Sequence, residues 1–154
     1  MPELEIEILL VEDNPADVEL TLHALRQNCV ANRIHVARDG EEALDFIFGR
    51  GAFSQYPPGQ PPKIILLDLK LPKVDGLEVL REVKGNEQTK TIPVVMLTSS
   101  REESDLLNSY NLGVNSYIQK PVDFSQFCET VKQLGLYWLV VNEPPPAANH
   151  SGRL

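Results

Sequence analysis

Three continuous runs rich in Ile, Val and Leu constrain this chain more than any other feature: Ile6 to Val11, Ile64 to Leu69 and Val94 to Leu97. Each has the length of a strand, and each places apolar side chains on both faces. Such strands must be covered on both faces, which is the condition of a parallel sheet between two layers of helices. Arg33-Ile34-His35-Val36-Ala37 and Ser116-Tyr117-Ile118 are shorter and alternate more, as edge or near-edge strands do. Helical patterns lie between them. Val18, Leu22, Leu25 and Cys29 recur at helical spacing behind Asn14-Pro15, which reads as a cap followed by proline at the first helical position. Ala43, Leu44, Ile47 and Phe48 mark a second helix after an Asp39-Gly40 turn. Leu77, Leu80 and Val83 mark a third ending at Gly85, and Leu106, Leu107 and Tyr110 a fourth ending near Gly113. Phe124, Phe127, Val131, Leu134 and Trp138 mark a long fifth. Strand and helix alternate five times, which predicts an α/β sandwich with a mostly parallel sheet.

The 154 residues suit one domain, and 42% apolar residues are enough to fill its core. Four prolines, at 57, 58, 61 and 62, make Gly49 to Pro62 an insertion loop, and Pro144 to Pro146 open a tail. The predicted division is one domain over 1–141, with the insertion at about 49–62, and an irregular tail over 142–154. A net charge of −8 and the lack of any Lys/Arg run exclude a sequence-independent grip on nucleic acid. No apolar stretch approaches the ~20 residues of a membrane span, and the first residues carry no basic leader pattern. A cytoplasmic protein is expected. Cys29 and Cys128, far apart and without a nearby His, read as small buried hydrophobes rather than a metal site or disulfide. His23, His35 and His150 show no ligand spacing and read as surface or tail residues.

In sheets of this kind ligands bind beyond the carboxyl ends of the strands, where strand order reverses. The first strand ends in Glu12-Asp13, the third in Asp68 and the fourth in Thr98-Ser99-Ser100, while Lys120-Pro121 follows the fifth. Three carboxylates, a hydroxyl and an ammonium therefore converge. Clustered carboxylates repel unless a cation sits among them, and an all-oxygen donor set suits Mg²⁺. A carboxylate can also attack a phosphoryl group to give an acyl phosphate. On this reading Asp68 attacks, Asp13 holds Mg²⁺, and Lys120 and Thr98 bind the remaining phosphoryl oxygens. Singly, each residue has an ordinary explanation: Glu12-Asp13 as helix capping or a solvated loop, Thr98 as a strand end, Lys120 as a solvated lysine, Tyr117 as an edge aromatic. Only the combination points to chemistry.

That combination, Val11-Glu12-Asp13-Asn14, Leu67-Asp68-Leu69-Lys70-Leu71-Pro72, Leu97-Thr98-Ser99-Ser100 and Tyr117-Ile118-Gln119-Lys120-Pro121, resembles the receiver domains of two-component response regulators over roughly residues 5–140. The resemblance implies a flavodoxin-like sheet of order 2-1-3-4-5 and a cis Lys120–Pro121 bond. It implies Asp68 as phosphoacceptor, Mg²⁺ ligands from Asp13, Asp68, the Lys70 backbone carbonyl and, through water, Glu12, and Lys120 as the phosphate-pairing lysine. Thr98 and Tyr117 would be the switch pair, with Lys70 and Ser100 beside the path of hydrolytic water. Within the family, the 49–62 insertion, Leu97 to Glu103 and the stretch Leu134 to Pro144 resemble the cyanobacterial phytochrome-associated response regulators. A histidine kinase, namely a phytochrome, is then the expected donor, and output is expected to pass by protein contact or by onward phosphotransfer because no residues remain for another domain. Apolar residues at Leu136, Tyr137, Leu139 and Val140 lie off the regular stripe of the fifth helix. They predict a homodimer through the face of the fourth helix, fifth strand and fifth helix, together with residues 134–143. The enzyme alternative, a haloacid-dehalogenase-like phosphohydrolase, needs a second acid two residues after the nucleophile, where this chain has Lys70. A nucleotide-binding fold lacks its Gly-rich loop after a strand.

Overall fold

The computed structural model describes residues 7–27, 33–51 and 61–136, Ser109 by its backbone alone. Five strands, β1 (Ile8–Val11), β2 (Ile34–Ala37), β3 (Ile64–Asp68), β4 (Val94–Thr98) and β5 (Ser116–Gln119), alternate with five helices. These are α1 (Pro15–Gln27), α2 (Gly40–Phe48), α3 (Gly76–Lys84), α4 (Arg101–Tyr110) and α5 (Phe124–Gln133). The strands form one parallel sheet in the order β2-β1-β3-β4-β5. Strand order reverses at β1, so a crevice opens between the carboxyl ends of β1 and β3.

The sheet divides the core by parity. Leu9, Val11, Ile65, Leu67, Val94 and Met96 face Leu44 and Ile47 of α2, Leu80 of α3 and Leu107 of α4. Ile8, Leu10, Ile64, Leu66, Val95 and Leu97 face Val18 and Leu25 of α1 with Phe127 and Val131 of α5. Every residue of β1, β3 and β4 up to the acceptor end is thus buried, and this two-sided cover is why their sequences read as unbroken apolar runs.

Each helix begins just past a strand's carboxyl end, on a capping side chain. Asn14 Oδ1 accepts from the N–H groups of Ala16 and Asp17 at 2.8 and 3.1 Å. Asp39, Asp75, Ser100 and Asp123 cap α2, α3, α4 and α5 in the same way. Asp39-Gly40, expected as a turn, is therefore the cap and first residue of α2. The arrangement gathers the positive ends of the helix dipoles at the carboxyl edge of the sheet.

Four further expectations are corrected. The fifth helix stops at Gln133 rather than running on to Trp138. Gly135 turns left-handed at φ 77°, its N–H donates to Lys132 O at 3.1 Å, and Leu136 N–H donates to Val131 O at 2.7 Å. This pair of hydrogen bonds is a Schellman stop, sealed by Leu136 and Val131 in one apolar cluster. Leu136 is thus spent on the chain's own core; Tyr137, Leu139, Val140 and the tail lie outside the described residues, as does most of the 49–62 insertion. The fourth helix ends earlier than Gly113, at Tyr110, because Asn111 takes the left-handed cap at φ 54°. Cys128 is partly exposed rather than buried; Cys29 lies outside the described residues. His35 is half-buried rather than fully at the surface: it stacks on Phe46 at 4.3 Å between ring centres, and burial lowers its pKa against the pull of Glu42. Among the described residues, no helix is long and apolar enough to cross a membrane.

Candidate functional site

The chain leaves β1 at Val11 and immediately places Glu12 and Asp13 at the crevice, opposite Asp68 at the end of β3. Glu12 is 1% exposed and Asp68 6%, whereas Asp13 is open to solvent. One carboxylate oxygen from each lies within 4.8 Å of the other two. From the other side, Lys120 reaches in behind β5. Its peptide bond to Pro121 is cis, and its N–H donates to Thr98 O at 2.8 Å. Its Nζ stands 3.3 Å from Glu12 Oε1, 3.4 Å from Asp68 Oδ1 and 3.2 Å from Asp17 Oδ2.

One ammonium therefore faces three carboxylates, with Asp13 a fourth acid beside Glu12 and Asp68. Burial, and then the charge of Asp68, pushes the Glu12 carboxyl up to about 7. Burial also raises Asp68, against the opposing pull of Lys120. For Lys120 burial acts downward, but Asp68, Glu12 and Asp17 outweigh it and raise the ammonium. An all-oxygen set still short of positive charge fits Mg²⁺, with Glu12, Asp13 and Asp68 as the donors. Lys70, the further expected ligand through its carbonyl, lines with Asp13 and Asp75 a cavity of about 510 Å³ beside them.

This electrostatics has a measurable consequence. A carboxyl whose pKa rises from its ordinary 4.5 to about 7 on folding contributes stability that is full below pH 4.5 and lost as pH rises through 7. A separation of this size corresponds to on the order of 3 kcal/mol. The melting temperature of the chelator-treated protein is expected to fall between pH 5 and pH 8, and Mg²⁺ to raise it more at pH 8 than at pH 5. Glu12→Gln should flatten the profile; an unchanged slope in that variant would contradict the assignment.

Thr98, fully buried at the end of β4, is one strand over from Asp68. Its hydroxyl lies 3.1 Å from that of Ser104 in the first turn of α4. Ser100 Oγ accepts from Glu103 N–H at 3.2 Å, and Glu103 Oε1 accepts from Ser99 N–H at 2.7 Å, a capping box that fixes the start of α4. Glu103 Oε2 also lies 3.5 Å from Lys70 Nζ, tying the loop after β3 to α4. Tyr117 is half-buried against the apolar cluster on the α2 to α4 side, and burial with the nearby Asp105 charge raises its phenol. Glu12, Asp13, Asp68 and Lys120 thus meet in one site, while Thr98 and Tyr117 stand beside it. Asp17, Ser104 and Glu103 were not expected. Asp17 had a signal: it lies four residues beyond Asp13, one helical turn further along the same edge.

The family model for the response regulator receiver domain matches residues 8–132. A structure described as the bacteriophytochrome response regulator AtBRR is 58% identical, superposes with a TM-score of 0.83, and is matched over 92% of this chain and 100% of its own. The phosphorylated cyanobacterial phytochrome response regulator RcpA is 42% identical, with a TM-score of 0.69 over 88% of this chain and 94% of its own. A probable methanogenesis regulatory protein, FilR2 of Methanothrix harundinacea, is 42% identical over 92% of this chain and 88% of its own. The expected resemblance to phytochrome-associated regulators stands on the first two.

Proposed function

This chain belongs to the response regulator receiver domain family and is related to phytochrome response regulators; from that premise we propose that Asp68 accepts a phosphoryl group from a histidine kinase. The observation that carries the reading is a buried carboxylate at a strand end with an ammonium 3.4 Å away and two further acids whose oxygens lie within 4.8 Å. An Asp68 oxygen forms a bond to phosphorus as the phosphorus–nitrogen bond of the donor's phosphohistidine breaks, and the imidazole keeps that electron pair. Lys120 pairs with one oxygen of the arriving group. Asp13, Asp68, the Lys70 carbonyl and, through water, Glu12 are the residues that would hold Mg²⁺, which when bound neutralises phosphoryl charge. Lys70 stands two residues after Asp68, where a haloacid-dehalogenase-like hydrolase carries its second acid, which favours a signalling phosphoacceptor over a hydrolase.

The readout follows from Thr98. At rest its hydroxyl is engaged by Ser104; on phosphorylation it turns to a phosphoryl oxygen, α4 shifts, and Tyr117 moves inward. Leu106 and Tyr110 of α4 are 54% and 47% exposed, an apolar pair on the face that would meet a second copy or a target. We place the homodimer contact on this α4–β5–α5 face with residues 134–143, and a phytochrome kinase in the cytoplasm as donor, on the strength of the relatives. The domain reading of 1–141 with a loop insertion and a 142–154 tail is retained.

The test is incubation with Mg²⁺ and a small phosphodonor, then borohydride trapping and mass mapping, alongside transfer profiling against histidine kinases that include a phytochrome. One phosphoryl group on Asp68 is expected; label elsewhere, or none, overturns the proposal. Ultracentrifugation that finds only monomer at micromolar concentration would remove the dimer. Ser104→Ala frees Thr98 from a bond of about 1 kcal/mol, so affinity for the phosphoryl mimic beryllofluoride should rise roughly fivefold. Lys70→Ala opens its bridge to Glu103 and should change the rate of acyl-phosphate hydrolysis, measured by loss of label.

A further inference from the structure

We infer that Asp17 is a positioning residue for phosphoryl transfer, the carboxylate that keeps the Lys120 ammonium beside Asp68 when a divalent cation engages the other acids. This rests on the phosphoacceptor reading and adds a residue to it. An acid in the first turn of a helix has an ordinary explanation, since it favours the helix dipole without any partner. Asp17 does more: its Oδ2 accepts from Lys120 Nζ at 3.2 Å, across 103 residues of sequence. The pair is sheltered, with side chains 33% and 18% exposed.

The ammonium nitrogen stands within 3.4 Å of three carboxylate oxygens from three separate places, Glu12 after β1, Asp17 on α1 and Asp68 on β3. Two of these belong to the group that a cation would share, and Asp17 does not. A divalent charge among Glu12, Asp13 and Asp68 weakens their hold on Lys120 and repels it directly. Asp17 alone then remains committed to the ammonium. It sits on α1 and outside the acid group that a cation would share, so it can hold Nζ without giving up a cation donor. Without it a four-carbon side chain regains its rotamer freedom at the moment the transferred group needs a fixed positive charge.

Asp17→Ala is expected to slow labelling of Asp68 by a small phosphodonor about tenfold, with Mg²⁺ affinity by calorimetry within about twofold because no cation ligand is lost. Asp17→Asn, which keeps an acceptor oxygen, should recover part of the rate. In a Lys120→Ala background Asp17→Ala should change nothing further. The Lys120 ammonium resonance, followed by ¹⁵N NMR, should persist on Mg²⁺ saturation in the wild type and broaden away in Asp17→Ala. Equal rates in wild type and Asp17→Ala, equal slowing with and without Lys120, or an ammonium signal indifferent to Asp17 would each overturn the assignment. An unlabelled wild type would instead overturn the phosphoacceptor reading on which it stands.

Discussion

Asp68→Asn is expected to abolish phosphoryl incorporation and, in the same variant, to raise the melting temperature of the metal-free chain at pH 8. The first effect is chemical: an amide oxygen cannot serve as the anionic nucleophile that forms the acyl phosphate. The second comes from the charges around it. Asp68 is a buried carboxylate whose pKa is raised by burial, and its charge is the second cause of the raised Glu12. Replacing it with a neutral side chain of the same shape removes that repulsion and the cost of burying the anion. Lys120 keeps Glu12 and Asp17 as partners at 3.3 and 3.2 Å. A gain on the order of 1–2 kcal/mol is expected in chelator, with a smaller rise on adding Mg²⁺ because one of three donors no longer carries charge. Labelling and thermal unfolding of one preparation check both. A labelled Asp68→Asn protein would move the acceptor elsewhere; a destabilised one would show that Asp68 holds Lys120 more than it strains Glu12.

The same site shows what a sequence of this kind conveys and what it withholds. Asp13, Asp68 and Lys120 were legible because topology alone brings them together. Each follows an apolar run, parallel strands all end at one edge, and the edge is the site. The start of α1 was legible for a related reason, since Asn14 caps through bonds two and three residues along the chain, and Asp75, Ser100 and Asp123 cap α3, α4 and α5 by the same local geometry. Asp17, Ser104 and Glu103 were not legible, because their roles depend on which neighbouring side chain each one reaches, Lys120, Thr98 and Lys70, once the elements are packed. His35 was misjudged for a similar reason: nothing local announces that it stacks on Phe46. The early end of α5 is a different miss. The apolar spacing carries on to Trp138, but Gly135 sits where a left-handed stop can form, and the Schellman bonds to Val131 and Lys132 outweigh the period.

Gly76→Ala and Gly40→Ala are expected to destabilise the fold strongly, against the sign that helix propensity assigns to them. Each glycine lies in the first turn of a helix, Gly40 in α2 and Gly76 in α3, and neither has a positive φ. On propensity alone, alanine there should stabilise by roughly 0.5–1 kcal/mol. Packing reverses the sign. A methyl group on Gly76 would run into the backbone oxygens of Asp68 and Leu69, the last residue of β3 and its successor, and one on Gly40 would run into the carbonyl of Val74. These are main-chain atoms and cannot step aside as a flexible side chain can. At Gly76 the intruding methyl also competes with the bond from its own N–H to Leu69 O at 3.0 Å. The strand end that carries the acceptor must move, or α3 must lift from it. Overpacking of this kind costs about 2–3 kcal/mol or more, roughly a 10 °C fall in melting temperature for a domain of this size. The two variants should then separate by function. Gly76→Ala displaces Asp68 itself and should lose most phosphoryl incorporation even at temperatures where it is folded. Gly40→Ala disturbs α2 and the loop after β3, so at such temperatures it should retain the larger share of the labelling rate. Thermal unfolding with labelling at 10 °C reads both, and a Gly76→Ala protein as stable and as active as the wild type would show that the loop after β3 yields where its packing says it cannot.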